Sequence, residues 1–280
     1  DRIGSPGAAL LHAKSLGRDH QNLFKPWRNS GIRAMALRFY VAGDHQIDQR
    51  LLLDSERSNY LCRVLRHRVG DIIEVFNGIG TVSSCKITSD DARKSELLVL
   101  SLTSGTKQHG LTLGIGISLL KGQPMDRAIA QATELGATDI YLMDTQRSNV
   151  RLNQQRISGK LEHWQKVIIA SCEQCGQVHL PRLHPPKPML QLLPELDQSD
   201  THLVFFDPNA EPAPTHLPEQ HRVLFVGPEG GYSPEELAAF ARFKATGYRL
   251  GKLILRAETM PAAALTLIQQ ATGWRSASDP

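Results

Sequence analysis

The sequence predicts an α/β protein in two unequal parts, and three observations carry that reading. Residues 36 to about 105 are rich in short strand-like runs, two of them flanking Asn77-Gly78, a hairpin signal. The stretch "SGTKQHG" (104–110) is a polar hinge of the kind that separates domains. From residue 111 onward, apolar strands alternate with amphipathic helices, the pattern of a parallel sheet covered on both faces.

In the first part, "RFYV" (38–41) opens the strand region. A short helix is expected over 55–66, capped by Ser55, with Leu61, Val64 and Leu65 facing inward. "DIIEVFNGIGTVSSCKIT" (71–88) supplies the hairpin, and "SELLVLSLTS" (95–104) adds a further strand. In the second part, "LTLGIGISLL" (111–120) reads as an apolar strand. "PMDRAIAQATELG" (124–136) reads as a helix with Met125, Ala128, Ile129, Ala132 and Leu135 on one face and Gly136 at its stop. "DIYLM" (139–143) is a strand. A long helix from about 153 to 175 carries Ile157, Leu161, Trp164, Ile168 and Cys172 at helical spacing.

The proline-punctuated region 181–200 is expected to be irregular. "HLVFF" (202–206) and "RVLFVG" (222–227) are buried-type strands. "SPEELAAFARF" (233–243) begins a helix with Ser233, Pro234 and Glu236 forming a capping box. "LGKLILR" (250–256) reads as a short strand and "PAAALTLIQQATGW" (261–274) as the last helix.

At 280 residues with 41% hydrophobic and 21% charged content, the chain is an ordinary globular protein, with no apolar run near the roughly 20 residues of a membrane span. A cytoplasmic location is therefore expected. The formal charge of +4 is concentrated in residues 1–34, where Arg2, Lys14, Arg18, Lys25, Arg28 and Arg33 face Asp1 and Asp19. The remainder is balanced, so a basic footprint on RNA must come from local clustering, as at Arg63, Arg66, His67 and Arg68 in "RVLRHRVGD". Residues 1–35 lack a sustained apolar period and are expected to be a leader or an upstream extension, with the natural start near Met35. Cys62, Cys85, Cys172 and Cys175 are too scattered for a disulfide framework. Cys172 and Cys175 form a CxxC inside a helical pattern with no second ligand pair, so two packed cysteines and no metal are expected.

The turn in "FVGPEGGYSPEE" (225–236) sits at a strand-to-helix junction, where glycine-rich loops usually bind phosphate. Glu229 opposes an anion, and the loop fits neither the GxxxxGK[ST] nor the GxGxxG pattern. Gly227, Gly230 and Gly231 would let backbone approach a flat neutral ligand, and the acid would tolerate a cation. S-adenosylmethionine, with its adenosine and sulfonium, is such a ligand.

This loop, followed by "LGKLILRAET", resembles the paired signature of the SPOUT (α/β-knot) methyltransferases, in the wording of the 16S rRNA uracil-N3 enzymes. "RFYV", "LCRVLRHRVGD" (61–71), "KGQPMDRAIAQATELGATDI" (121–140), "QRSNV" (146–150) and "ASCEQCGQVHLP" (170–181) resemble the same family in the same order, from Arg38 to Trp274. The resemblance implies a PUA-like RNA-binding β-barrel over 36–105 and a SPOUT methyltransferase domain over 106–275 with a C-terminal trefoil knot. Such threading is nearly absent elsewhere and cannot be read from periodicity. It implies a homodimer that holds S-adenosylmethionine through Phe206, Gly227, Glu229, Gly230, Leu250, Gly251, Leu253, Ile254, Leu255 and Met260. It implies RNA contacts at Arg38, Arg63, Arg66, Arg147 and Gln174, and 16S rRNA within the assembled small subunit as partner. Three positions depart from the family wording: Gln146 for a glutamate, Gln177 for an arginine and Met260 for an alanine.

Methylating uridine N3 requires loss of the imide proton as the nitrogen attacks the methyl group. Arg256 and Glu258, beyond the last expected strand, are the candidates for stabilising the anion or accepting the proton. An internal Arg256–Glu258 ion pair that only braces the loop is the competing reading. A knot enzyme acting on a ribose 2′-OH or guanine, and a non-catalytic RNA-binding protein, are the alternatives at the level of function.

Overall fold

The computed structural model describes residues 38–105, 112–150, 154–197, 200–218 and 220–272. The expected leader, the greater part of the 104–110 hinge and Trp274 lie outside the described residues.

Two sheets organise the chain. The first is curled and has the order β1-β3-β4-β5-β2, built from β1 (Arg38–Tyr40), β2 (Arg50–Leu52), β3 (Ile72–Phe76), β4 (Thr81–Ser89) and β5 (Glu96–Ser104). Only β1 and β3 run parallel. Period-two alternation sends Ile73, Val75, Cys85, Ile87, Leu97 and Val99 into one core with Phe39, Leu51 and Leu61. The hairpin turns at 77–80, where the Asn77 side chain accepts from the N–H groups of Ile79 (3.1 Å) and Thr81 (3.0 Å).

The helix of this part departs from expectation. Helix α1 (Ser55–Asn59) is capped by Asp54, whose carboxylate accepts the Arg57 N–H at 2.8 Å, so Ser55 is inside the helix. It then widens into a π-helical turn over Tyr60–Val64, closed by Leu65 N–H to Tyr60 C=O at 3.0 Å. The extra residue per turn shifts the helical phase. Leu61 stays fully buried, but Val64, which a 3.6 period turns inward, is 59% exposed. The turn ends on Arg66, held at a left-handed φ of 61°.

The second sheet is parallel throughout, in the order β11-β9-β10-β6-β7-β8. It comprises β6 (Leu113–Ser118), α2 (Gln123–Glu134), β7 (Asp139–Asp144), α3 (Gln154–Cys175), β8 (Arg182–Pro188), α4 (Met189–Leu196), β9 (Thr201–Pro212), β10 (His221–Val226), α5 (Pro234–Arg242), β11 (Thr246–Arg249) and α6 (Met260–Ala271). Alternate residues of β10 serve opposite cores. Leu224 and Val226 pack with Ile129, Trp164, Ile168, Leu265 and Ile268 from α2, α3 and α6. Val223 and Phe225 pack with Leu193 and Phe240 from α4 and α5. Helix α6 is tied back by Gln269 Nε2 to Leu135 C=O (2.7 Å), and its Ala271 C=O accepts the Leu217 N–H (2.8 Å) from the β9–β10 connection.

Three further expectations are corrected. Among the described residues of region 181–200, Arg182–Pro188 is a strand and Met189–Leu196 a helix, rather than an irregular stretch. Pro185, Pro186 and Pro188 fall in β8, which pairs with β7 alone at the sheet edge, where proline is tolerated, and with a register irregularity between Tyr141 and Met143; Pro194 falls inside α4. Residues 250–256 are not a strand. The edge position beside β9 is taken by Thr246–Arg249, and Leu253 and Ile254, which follow, face solvent. Of the two helix cysteines only Cys172 is packed; Cys175, the last residue of α3, is exposed.

Candidate active site

In a parallel α/β sheet the loops beyond the carboxyl ends of the strands form the ligand-binding edge. Here those ends are stitched together. Ser118 Oγ, closing β6, donates to the Val226 carbonyl closing β10 (3.2 Å), and Thr145 Oγ1 after β7 donates to Ser118 Oγ (3.3 Å). Phe206 is the last β9 residue paired with β10, opposite Val226, and its side chain is buried in the core.

The loop 227–231 is held on every side. Gly231 N–H donates to Pro228 C=O (2.9 Å), and Gly231 needs its freedom because its φ is 67°. The expected capping box is present: Ser233 Oγ accepts from Glu236 N–H (3.1 Å), and Glu236 Oε2 accepts from Ser233 N–H (2.7 Å). The same buried carboxylate accepts the Gln146 N–H through Oε1 (2.9 Å), which ties the β7 loop to the glycine loop. Gln146, the position that departs from the family glutamate, donates its side-chain amide to Glu235 (2.5 Å). Two glutamates already stand there, so an amide donor suits the site.

Arg147 Nη1 reaches the Gly230 carbonyl at 3.2 Å. An arginine therefore stands beside a turn whose own sequence contains none. A Cβ on Gly230 would lie 3.1 Å from the Arg147 Cβ and 3.2 Å from its carbonyl oxygen. Beneath the loop, a Cβ on Gly227 would approach the Tyr232 ring to 3.2 Å. Tyr232 is buried against Phe240 and Phe205, and burial, with Glu236 and Asp207 nearby, pushes its phenol well above the usual range.

The loop after β11 is open. Leu250 packs on the core and Gly251 has a φ of 144°, but Leu253 and Ile254 are 85% and 86% exposed. Among the described residues, no backbone hydrogen bond outside helices and strands begins or ends on 250–255. Arg256 C=O accepts from Thr259 N–H (2.9 Å) and Met260 N–H (3.2 Å), anchoring the start of α6. The Arg256 side chain is 84% exposed and stands 4.0 Å from the Glu258 carboxylate, which is far less exposed. This is not an internal brace. Leu255 and Met260 are half-buried, and Glu229 is exposed on the neighbouring loop.

The candidate RNA residues divide. Arg63 and Arg66 are exposed on the turn that follows α1, and among the described residues neither makes an ion pair. Arg68 pairs with Asp90 (3.6 Å) and His67 with Asp71 (2.9 Å). Gln174 is exposed near the end of α3. Arg38 is engaged: it pairs with Glu74 (2.8 Å) and donates to Gly176 C=O (2.6 Å). Among the described residues no cluster of three or more His, Cys, Asp or Glu is arranged to hold a metal, and no helix is long and apolar enough to cross a membrane.

Comparison with known proteins fits this arrangement. The family description "RNA methyltransferase domain" matches residues 107–269, and "RNA methyltransferase PUA domain" matches residues 53–100. The chain is 30% identical over 249 residues to the ribosomal RNA small subunit methyltransferase E of Synechocystis, covering 86% of this chain and 80% of that protein. It is 28% identical to the enzyme of the same name from Buchnera aphidicola, covering 83% and 95%. Among solved structures, the Neisseria gonorrhoeae ribosomal RNA small subunit methyltransferase E bound to S-adenosylmethionine superposes with a TM-score of 0.77 at 27% identity, covering 85% of this chain and 98% of that one. A Legionella pneumophila protein solved with the same cofactor gives 0.78 at 26% identity, again covering 85% and 98%. The curled sheet is thus PUA-like, the parallel sheet is that of the RNA methyltransferase domain, and the chain belongs to the ribosomal RNA small subunit methyltransferase E family of RNA methyltransferases.

Proposed function

We propose that this protein transfers a methyl group from S-adenosylmethionine to N3 of a uridine in small-subunit (16S) ribosomal RNA. The observation that carries the reading is the pair of loops at one sheet edge, the tightly held 227–231 and the open 250–259, in a fold that superposes on two cofactor-bound relatives. The residues suit the cofactor. Glycine backbone and the exposed Leu253 and Ile254 can cover a flat adenosine, and Glu229 tolerates a cation. When bound, the cofactor supplies an electrophilic methyl on a sulfonium.

Arg256 extends into solvent and can stabilise the uracil anion as its imide proton leaves. Glu258, the less exposed of the two, is placed to accept that proton. Because N3 lies on the pairing edge, the target base must be unpaired or flipped. Arg63, Arg66, Arg147 and Gln174 supply the RNA grip, and we divide the chain into a barrel over 36–105 and a methyltransferase domain over 106–275. The trefoil threading of the family agrees with the clip between Leu217 and Ala271.

We also infer a cytoplasmic homodimer, in which a second subunit covers the exposed Leu253–Ile254 ridge. Replacing both residues by serine should shift sedimentation from dimer to monomer; an unchanged dimer would place the interface elsewhere. The function itself is tested by incubating the protein with labelled S-adenosylmethionine and small subunits, or naked 16S rRNA, from a methylase-null strain. Label on uridine N3 is expected. Label on a ribose or guanine would move the activity to another class of knot enzyme.

A further inference from the structure

Among the described residues, a short strap carries the hydrogen bonds between the barrel and the parallel sheet: residues 173–180, the last turn of α3 and the segment that follows it. Hairpin 77–80 lies along it: Gly80 N–H donates to Val178 C=O (3.2 Å), Leu180 N–H donates to Gly78 C=O (2.9 Å), and Ile79 bridges His179. A Cβ on Gly78 would stand 2.9 Å from both Leu180 and Tyr40, so this approach requires glycine. Arg38 adds its bond to Gly176 C=O.

One contact in the strap differs from the rest. Glu173 Oε1 accepts the backbone N–H of Tyr40 in β1 (2.9 Å) and the Arg57 Nε–H (3.2 Å), while Arg57 also pairs with Asp54. Both Arg57 and Glu173 are about three-quarters shielded from solvent. Arg57 sits on α1, which runs without a break into the π-helical turn carrying Arg63 and ending at Arg66. A single carboxylate oxygen on the methyltransferase side therefore fixes both a barrel strand and the helix that bears the exposed arginines.

We propose that Glu173 is a positioning residue, setting the angle at which the Arg63–Arg66 face meets the methyl-transfer loops. This rests on the function proposed above, in which that face grips the RNA. The grip supplies affinity wherever the barrel points, since contacts to phosphate depend on charge. Placing N3 against the methyl group depends on the angle, and small misplacements can cost up to about 10²-fold in rate.

Two measurements test the inference. In the first, spin labels are placed at Arg93→Cys on the barrel and Ala241→Cys on α5, in a Cys175→Ser background, with and without Glu173→Ala. A broadened or shifted distance distribution is expected; an unchanged one overturns the proposal whether or not the protein is active. In the second, single-turnover methylation is measured with RNA and cofactor affinities. Glu173→Ala and Arg57→Ala should each lower the rate roughly 10-fold or more while both affinities stay within about 2-fold, and the double variant should be no worse than either. Glu173→Gln keeps an acceptor for Tyr40 and should retain most of the rate. Wild-type rates in both alanine variants, or a fall in cofactor affinity that tracks the rate, overturn the proposal. A wild-type protein that never labels small-subunit RNA would instead defeat the proposed function, and the distance measurement alone would then decide the role of the strap.

Discussion

The loops after β10 and β11 leave the same edge of one sheet, yet they are built in opposite ways. The first is clamped by a turn, a capping box, the N–H of Gln146 and the guanidinium of Arg147. The second holds only its last residues, and its apolar side chains and its arginine stand in solvent. The difference separates two tasks. A clamped loop has met its ordering cost during folding and offers a preformed surface, whereas an open loop meets that cost when ligand, substrate or a second subunit arrives. Affinity for the cofactor should be sensitive to the geometry of the first, and chemistry to the side chains of the second.

The largest expected effect lies on the open loop. Arg256→Ala should lower kcat by roughly 10²-fold or more, while melting temperature, cofactor affinity and RNA affinity stay near wild type, because that side chain is 84% exposed and reaches the Glu258 carboxylate only at 4.0 Å. Single-turnover kinetics with calorimetry on one preparation decides it. A joint fall in stability and cofactor affinity would return Arg256 to a bracing role.

Next in size is a change in the clamped loop. Gly231→Val forces a β-branched residue into a left-handed conformation, at a cost of about 1–2 kcal/mol. Cofactor binding by titration should weaken roughly 10-fold, with the chemical step at saturation little altered. A reduced kcat at unchanged affinity would erase the division between the loops.

The smallest effect concerns the cap. Ser233→Ala removes the acceptor for the Glu236 N–H, worth about 1 kcal/mol, and should lower the melting temperature by roughly 2–4 °C. Cofactor affinity should follow only slightly, since Glu236 retains its bond to Gln146. An affinity loss as large as that of Gly231→Val would show that the cap itself shapes the site.

What was legible in the sequence was local and periodic. The α/β alternation, the Asn77-Gly78 hairpin and the Ser233–Glu236 box are near-neighbour features, and each is present. What was not legible depended on distant partners or on the edge of a sheet. The π-helical turn that rotates Val64 outward leaves no mark in apolar spacing. "LILR" has the composition of a buried strand, but hydrophobicity does not say whether the covering surface belongs to the same chain. Gln146 and Arg147 reach the α5 cap and the glycine loop across more than 80 positions, and Glu173 reaches Arg57 across more than 100. The prolines of 182–188 argued against a strand only until that strand proved to lie at the edge.

That edge has a further consequence. An open parallel sheet ends in two rows of unpaired backbone groups, each a template on which another chain can add a strand. Here one terminal strand, β11, is four residues long, and the other, β8, carries Pro185, Pro186 and Pro188. Successive N–H groups of a strand point to opposite sides, so of the adjacent Pro185 and Pro186 one falls in the outer row, and an incoming strand finds a gap where it needs a hydrogen bond. The residues that disguise β8 as a loop in the sequence also keep the sheet from growing beyond its own chain.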